Sequence, residues 1–278
     1  MKIKITTLSE NTARGRYLGE WGLSILVEVD GKKILFDTGQ SFSAVHNAKI
    51  MGFDLTSIDK IVLSHGHYDH TGGLAEILKI KGQVEVIAHP DVWESKCAIR
   101  SNGEEDYIGI PFSRKELENL GANFVLSEKP SYITDCIVTT GEIPMTTDYE
   151  QVEDEFVIKE NNRLIKDLMT DDQALVIIAD FGVVVVTGCA HRGIINTIRH
   201  AQKLSGSKPL YMVVGGYHLL NASAERIEKT ISDLRETGIQ YIGVSHCTGF
   251  AASARLAEEF GYSFFHNNTG TVINLPII

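Results

Sequence analysis

The segment Ser64-His65-Gly66-His67-Tyr68-Asp69-His70-Thr71-Gly72-Gly73 packs three imidazoles and one carboxylate into the six residues from His65 to His70. His65 and His67 lie two apart, so on extended backbone they point the same way. Asp69 and His70 follow where the chain turns into a helix. One cation can take His65 and His67, and a second can take Asp69 and His70. Imidazole with carboxylate suits Zn²⁺, Fe or Mn²⁺. The plain alternative is a polar loop whose histidines only hydrogen-bond. That fits a lone histidine better than four donors crowded beside Gly72-Gly73.

A dinuclear site needs more donors than this loop supplies, because each ion takes four or more groups counting water. Three other histidines follow apolar runs that can end at a sheet edge: His191 after Val183-Val184-Val185-Val186, His218 after Leu210-Tyr211-Met212-Val213-Val214, and His246 after Tyr241-Ile242-Gly243-Val244. His191 and His246 are candidate ligands. His218 is a ligand or a group that meets substrate, with oxyanion contact or proton transfer as its chemistry. Cys189 shares parity with His191 and is either a thiolate ligand or a small buried packing residue. Asp37 ends the run Leu35-Phe36, where it either supports a metal-bound histidine or closes a turn. Arg192 either holds an anionic group or is a solvated surface residue. The helix start at Gly72-Gly73 offers a second place for a phosphate. His46, His89, His200 and His266 read as ordinary core or surface histidines.

These residues need strands to present them. Period-2 and continuous apolar runs predict strands at 2–7, 22–29, 33–37, 60–63, 84–88, 135–140, 174–179, 183–187, 210–214, 240–244 and 270–274. A hairpin is expected at Asp180-Phe181-Gly182. Helical spacing predicts helices at 43–51, 74–79, 193–204, 222–236 and 251–260. Hairpins come first, then strand–helix alternation, loosely repeated in the second half. That order predicts helices packed outside two sheets. Residues 95–170 are charge-rich and weakly periodic, and carry Pro111, Pro130 and Pro144. They read as an inserted loop region on a single domain spanning 1–278, shaping the substrate pocket or lying idle on the surface.

The 278 residues are 43% apolar, enough for a large core, and the apolar residues run the whole length, which argues against extensive disorder. A net charge of −10 disfavours nucleic acid as a partner, since phosphate backbones need clustered Lys and Arg. Cys97, Cys136, Cys189 and Cys247 are far apart with no CxxC spacing, so neither a zinc ribbon nor a disulfide framework is expected. No apolar run approaches the length of a membrane span, and the N-terminus begins directly on an alternating strand. A soluble cytoplasmic protein with a small-molecule substrate and no membrane partner is the expectation, with self-association left open.

Taken together, these residues resemble the metallo-β-lactamase superfamily. Its His-x-His-x-Asp-His signature is matched by His65, His67, Asp69 and His70, and Phe36-Asp37-Thr38-Gly39 is similar to its strand-end aspartate. The resemblance implies an α/β fold, a four-layer αββα sandwich with metals at one edge between the sheets. It places Cys189 at the bridging position usually held by Asp and His246 as the final ligand. The family's third-region His is missing between His89 and His191, and His191 is the candidate to replace it. Thr187-Gly188-Cys189-Ala190-His191, Gly215-Gly216-Tyr217-His218-Leu219 and His246-Cys247-Thr248-Gly249 resemble the dihydropterin-methyl-ribofuranosylaminobenzene 5′-phosphate synthase-like subfamily, which implies a pterin condensation.

The leading expectation is therefore a metal-dependent hydrolase acting on a small phosphorylated or ester substrate. Two divalent ions, zinc before iron or manganese, would activate a water that Asp69 helps to orient. The alternatives are the pterin-condensing synthase and, in another class, a non-catalytic metal-binding sensor.

Overall fold

A computed structural model of the protein describes residues 1–277. Two seven-stranded sheets face each other. The first runs in the order Val272–Leu275, Ile3–Ser9, Ser24–Val29, Lys32–Phe36, Lys60–Val62, Val84–Ala88, Ala122–Leu126. The second runs Phe264–His266, Tyr241–Ser245, Leu210–Gly216, Gly182–Thr187, Ala174–Ala179, Ile137–Thr139, Ser131–Thr134.

Strand parity divides the apolar residues between layers. Ile25, Val27, Ile34 and Phe36 of the first sheet meet Ile177, Val184, Val186 and Val214 of the second in a core between the sheets. The alternate residues Leu26, Leu35 and Ile61 face outward, against helices Ser43–Ile50, Leu74–Lys81 and Arg114–Asn119. Val183, Val185 and Val213 do the same under helices Ile194–Leu204, Ala224–Glu236 and Phe250–Phe260. The run Val183–Val186 is continuously apolar because both of its faces are covered. The result is the four-layer αββα sandwich. No helix among the described residues is long and apolar enough to cross a membrane.

The predicted helices and most predicted strands are present within a few residues of their expected ends. The hairpin between Ser24–Val29 and Lys32–Phe36 turns at Asp30-Gly31, both at positive φ as a tight two-residue turn of this hand requires. His266 ends the edge strand Phe264–His266.

Residues 95–170 do not form one insert. Helix Arg114–Asn119 and strands Ala122–Leu126, Ser131–Thr134 and Ile137–Thr139 belong to the two main sheets and their cover. The remainder builds a small third sheet in the order Arg163–Lys166, Phe156–Glu160, Lys96–Ile99, Glu105–Tyr107. A capping box, Ser113 with Glu116, starts the short helix and is legible in the sequence. Of the strands in this stretch only Ile137–Thr139 falls on a predicted one, and Glu105–Tyr107 and Arg163–Lys166 are exposed along their length and show no buried alternation.

Strands Lys32–Phe36, Lys60–Val62 and Val84–Ala88 are mutually parallel, as are Gly182–Thr187, Leu210–Gly216 and Tyr241–Ser245. Parallel neighbours end at the same edge, where ligands gather in open sheets. That edge carries Asp37, the loop from Ser64 to Gly73, and the stretches holding Cys189, His191, His218 and His246.

Candidate metal centre

The loop turns directly from strand Lys60–Val62 into a short helical turn, Tyr68–Thr71, with His67 extended at its start. His65, His67, Asp69 and His70 are all buried. Two donor groups form. In one, Nε2 of His65 lies 3.1 Å from Nδ1 of His67 and 3.3 Å from Nε2 of His191. In the other, Nε2 of His70 lies 3.2 Å from Nε2 of His246, which is 3.1 Å from Oδ2 of Asp69. The Cys189 thiol joins both groups. Its Sγ lies 3.1 Å from Nε2 of His70, and its set with His65 and His191 closes within 4.8 Å. His191 and His246 thus stand beside the loop, each completing a different half.

One buried carboxylate orders much of this. Asp37 accepts from the Ser64 amide on Oδ1 and from Ser64 Oγ and His70 Nδ1 on Oδ2, each at 2.7 Å. Ser64 Oγ in turn accepts from His65 Nδ1 at 2.8 Å. With Nδ1–H engaged on both rings, Nε2 is the nitrogen aimed inward and left to ligate. A Cβ on Gly188 would lie 2.0 Å from Ser64 Oγ, so only glycine fits beside this pair. His246 is held in the same tautomer by Asn11 Oδ1, 2.8 Å from Nδ1, and its backbone amide donates to Glu10 at 2.7 Å. His246 and Asp37 sit at positive φ, strain typical of residues aimed at a functional site.

Burial pushes His65, His67 and His191 well below the usual imidazole range, and the neighbouring rings reinforce it. These three are neutral, the form that binds metal. Burial works against ionising Asp69, but His70 and His246 outweigh it and hold the carboxyl below its usual range. Burial also opposes charge on His70, yet Asp37 and Asp69 prevail and raise it to about 9. A cation held at Nε2 would take the place of that proton. Nε2 of His67 and Nδ1 of His191 are buried without a hydrogen-bond partner among the described residues. Orphaned imidazole nitrogens beside a carboxylate and a thiol are chemically suited to a divalent cation, so the residues fit such a group.

Below the loop, Lys96 is fully buried between Asp167 and Asp171 at 2.7 and 2.9 Å. Asp171 then accepts from the Gly66 amide at 2.8 Å, which ties the third sheet to the metal loop. Nothing in the sequence points to this network or to Asn11 and Glu10. Cys247, buried beside Cys189, has a signal in the sequence that the reading of donors missed, since it directly follows His246 in the stretch His246-Cys247-Thr248-Gly249.

Two expectations are corrected. Arg192 does not line the cleft over the donors. Its guanidinium donates to the carbonyls of Ile143 and Leu168 at 2.6 and 3.0 Å and pairs with Glu142, stapling two connecting segments. The Gly72-Gly73 amides are likewise spent on Tyr68 and Gly39 carbonyls, with the backbone of residues 38–40 packed against them, so no phosphate enters there.

A cleft of about 320 Å³ opens over the donors, walled by Trp21, Tyr68, Phe156 and Leu220, with Arg100 and Asn221 also lining it. The Trp21 ring lies 4.8 Å from His246, and Phe156 packs 5.3 Å from His67 and 5.2 Å from His191. His218 sits at the cleft wall at positive φ, its ring 4.0 Å from His191 and its Nε2 3.2 Å from Glu153.

The family model of the metallo-beta-lactamase superfamily matches residues 22–191. A 7,8-dihydropterin-6-methyl-4-(beta-D-ribofuranosyl)-aminobenzene-5'-phosphate synthase of Methanocaldococcus jannaschii is 36% identical, over 98% of this chain and 96% of its own. Among solved structures, a metal-dependent hydrolase of the beta-lactamase superfamily is 30% identical with a TM-score of 0.84, covering 98% of both chains. Zn(2+)-bound PqqB from Methylobacterium extorquens shares the fold at 11% identity, with a TM-score of 0.59 over 97% of this chain and 99% of that one.

Proposed function

The chain belongs to the metallo-β-lactamase superfamily, and from that premise we propose that it is a metal-dependent, pterin-condensing synthase. In this reading it joins the 6-methylene carbon of a dihydropterin, bearing a phosphate-type leaving group, to the amino nitrogen of a ribofuranosyl-aminobenzene 5′-phosphate. The carbon–nitrogen bond forms as the bond to the leaving oxygen breaks, and the nitrogen's proton is lost. The observation that carries the reading is the 36% identity along nearly the whole chain to a protein named for that product.

The site's own chemistry supports it. His65, His67 and His191 would hold one divalent cation, Asp69, His70 and His246 the other, with Cys189 between them. Zinc suits this mixture of imidazole, carboxylate and thiolate, ahead of iron or manganese. Bound cations would supply Lewis acidity toward the leaving phosphate oxygens or a coordinated water. Trp21 and Phe156 offer flat apolar surfaces suited to a planar heterocycle. Arg100 lines the cleft with Nε and one amine held by Asp106, and its remaining amine suits an anionic phosphate. His218 lines the cleft with Glu153 on Nε2, which favours its charged form, and in this reading it would donate to the oxygen that gains negative charge.

A second reading, hydrolysis of a small ester or phosphorylated compound, is favoured by the complete loop motif and by the solved relative named as a metal-dependent hydrolase. Titration with a dihydropterin separates the two. The synthase reading expects quenching of tryptophan fluorescence that is lost in Trp21→Phe, and coupled product when the arylamine is added. Turnover of a phosphodiester or lactone with no pterin quenching would refute it in favour of hydrolysis.

A further inference from the structure

Cys189 belongs to three donor sets, and only two of them make up the centre described above. The third is Cys189 with His218 and Cys247, whose ligand atoms all lie within 4.8 Å of one another. We propose that Cys189, His218 and Cys247 form a third cation site, selective for thiophilic ions of the zinc type, beside the dinuclear centre.

The surrounding backbone is built to keep this set together. Gly216 ends its strand under the Cys247 thiol, and a Cβ there would lie 2.6 Å from Sγ and 2.4 Å from the Gly188 carbonyl. A side chain at 216 would therefore push the thiol out of the cluster. His218 follows two residues later with φ of 46°, a strained conformation for a non-glycine residue that persists only where neighbours impose it. Its Nδ1 is buried and has no hydrogen-bond partner among the described residues. Cys247 is buried too, its thiol donating to the Cys189 carbonyl at 3.5 Å and lying beside the Cys189 thiol and the His218 ring. Two sulfurs and one imidazole make the Cys₂His donor set of zinc-type sites, which leave the fourth position to water or substrate. Hard cations such as Mg²⁺ are disfavoured by the same set.

Binding there would release to solvent the Cys247 thiol proton and the proton on the His218 ring nitrogen that takes the cation, and would form sulfur–metal and nitrogen–metal bonds in their place. The cation occupies the ring of His218, so the filled third site and the substrate contact proposed for His218 are alternatives. Glu153 and His191, the other groups facing His218, close a set within the same distance, and the Glu153 carboxylate offsets the added charge.

The test is titration of metal-free protein with Co²⁺ under a non-chelating phosphine reductant, read by elemental stoichiometry and by near-ultraviolet thiolate-to-cobalt absorption. The wild type is expected to take three equivalents, the third adding a new thiolate band. Cys247→Ala, Cys247→Ser and His218→Gln are each expected to stop at two, and the first two equivalents report an intact dinuclear centre in every variant. Saturation of the wild type at two equivalents overturns the proposal. So does a third equivalent, with its band, that survives in both Cys247→Ala and His218→Gln.

Discussion

Replacing Asp37 by Asn tests whether one buried carboxylate orders the centre. Its Oδ2 accepts from His70 Nδ1 and Ser64 Oγ, and its Oδ1 from the Ser64 amide. An amide keeps only one acceptor, so in either orientation its NH₂ faces an N–H. With the NH₂ toward His70, the imidazole proton must move to Nε2, the nitrogen aimed at Cys189 and His246. That nitrogen then cannot ligate. With the NH₂ toward the Ser64 amide, two donors oppose each other in a fully buried site. Either mismatch costs about 1–3 kcal/mol. Loss of the outer hydrogen bond of a ligating histidine costs about 10–100-fold in metal affinity, or about 1.4–2.8 kcal/mol. The two figures agree. The expected result is a loss of about 10–100-fold for the cation of the His70 group. A smaller loss is expected for that of the His65 group, which feels Asp37 only through Ser64. Chelator competition followed by elemental analysis resolves the two equivalents, and urea denaturation of the metal-free protein should show a drop of about 1–3 kcal/mol. Affinities within twofold of wild type at both equivalents, with unchanged stability, would refute the ordering role.

Other substitutions probe the same framework. Lys96→Met strands Asp167 and Asp171 in the interior and should cost about 3–5 kcal/mol in denaturation experiments. Burial already holds Asp171 above the usual carboxyl range, and removing the cation raises it further. A carboxyl raised in the folded state stabilises only while protonated, so the Lys96→Met deficit should be larger at pH 8 than at pH 5, and a pH-independent deficit would contradict this. Glu94 is pushed up to about 7 by burial, then by Asp91, so the wild type loses stability as pH rises from about 4.5 through 7. Glu94→Gln should therefore melt higher than wild type at pH 8 and alike at pH 4, as thermal denaturation at the two values will show. Asp69→Ala should bind one cation fewer per chain and lose most turnover, and elemental analysis finding the full complement with full activity would remove Asp69 from the centre.

Much of the site is legible in the chain itself. Local patterns need only neighbouring residues, so the donors from His65 to His70, the apolar strands ending at Cys189, His218 and His246, and the helices with continuous apolar faces can all be read directly. Resemblance in those same stretches carries the αββα architecture, because a motif spaced by strand and turn geometry is tied to the fold that presents it.

Residue order alone specifies the donor inventory and the layer order: which side chains can ligate, and which faces must be buried. How those donors are shared is a property of the folded chain. His65 meets His191 from 126 residues away, and His246 meets Asn11 from 235, because parallel strands in two sheets finish at one edge. Packing also commits Arg192 to the Ile143 and Leu168 carbonyls, buries Lys96 under Gly66, and divides residues 95–170 between the main sheets and a third one. The physical reason is that buried polar groups take whichever partner the packing supplies, and no local period encodes a partner more than a hundred residues distant.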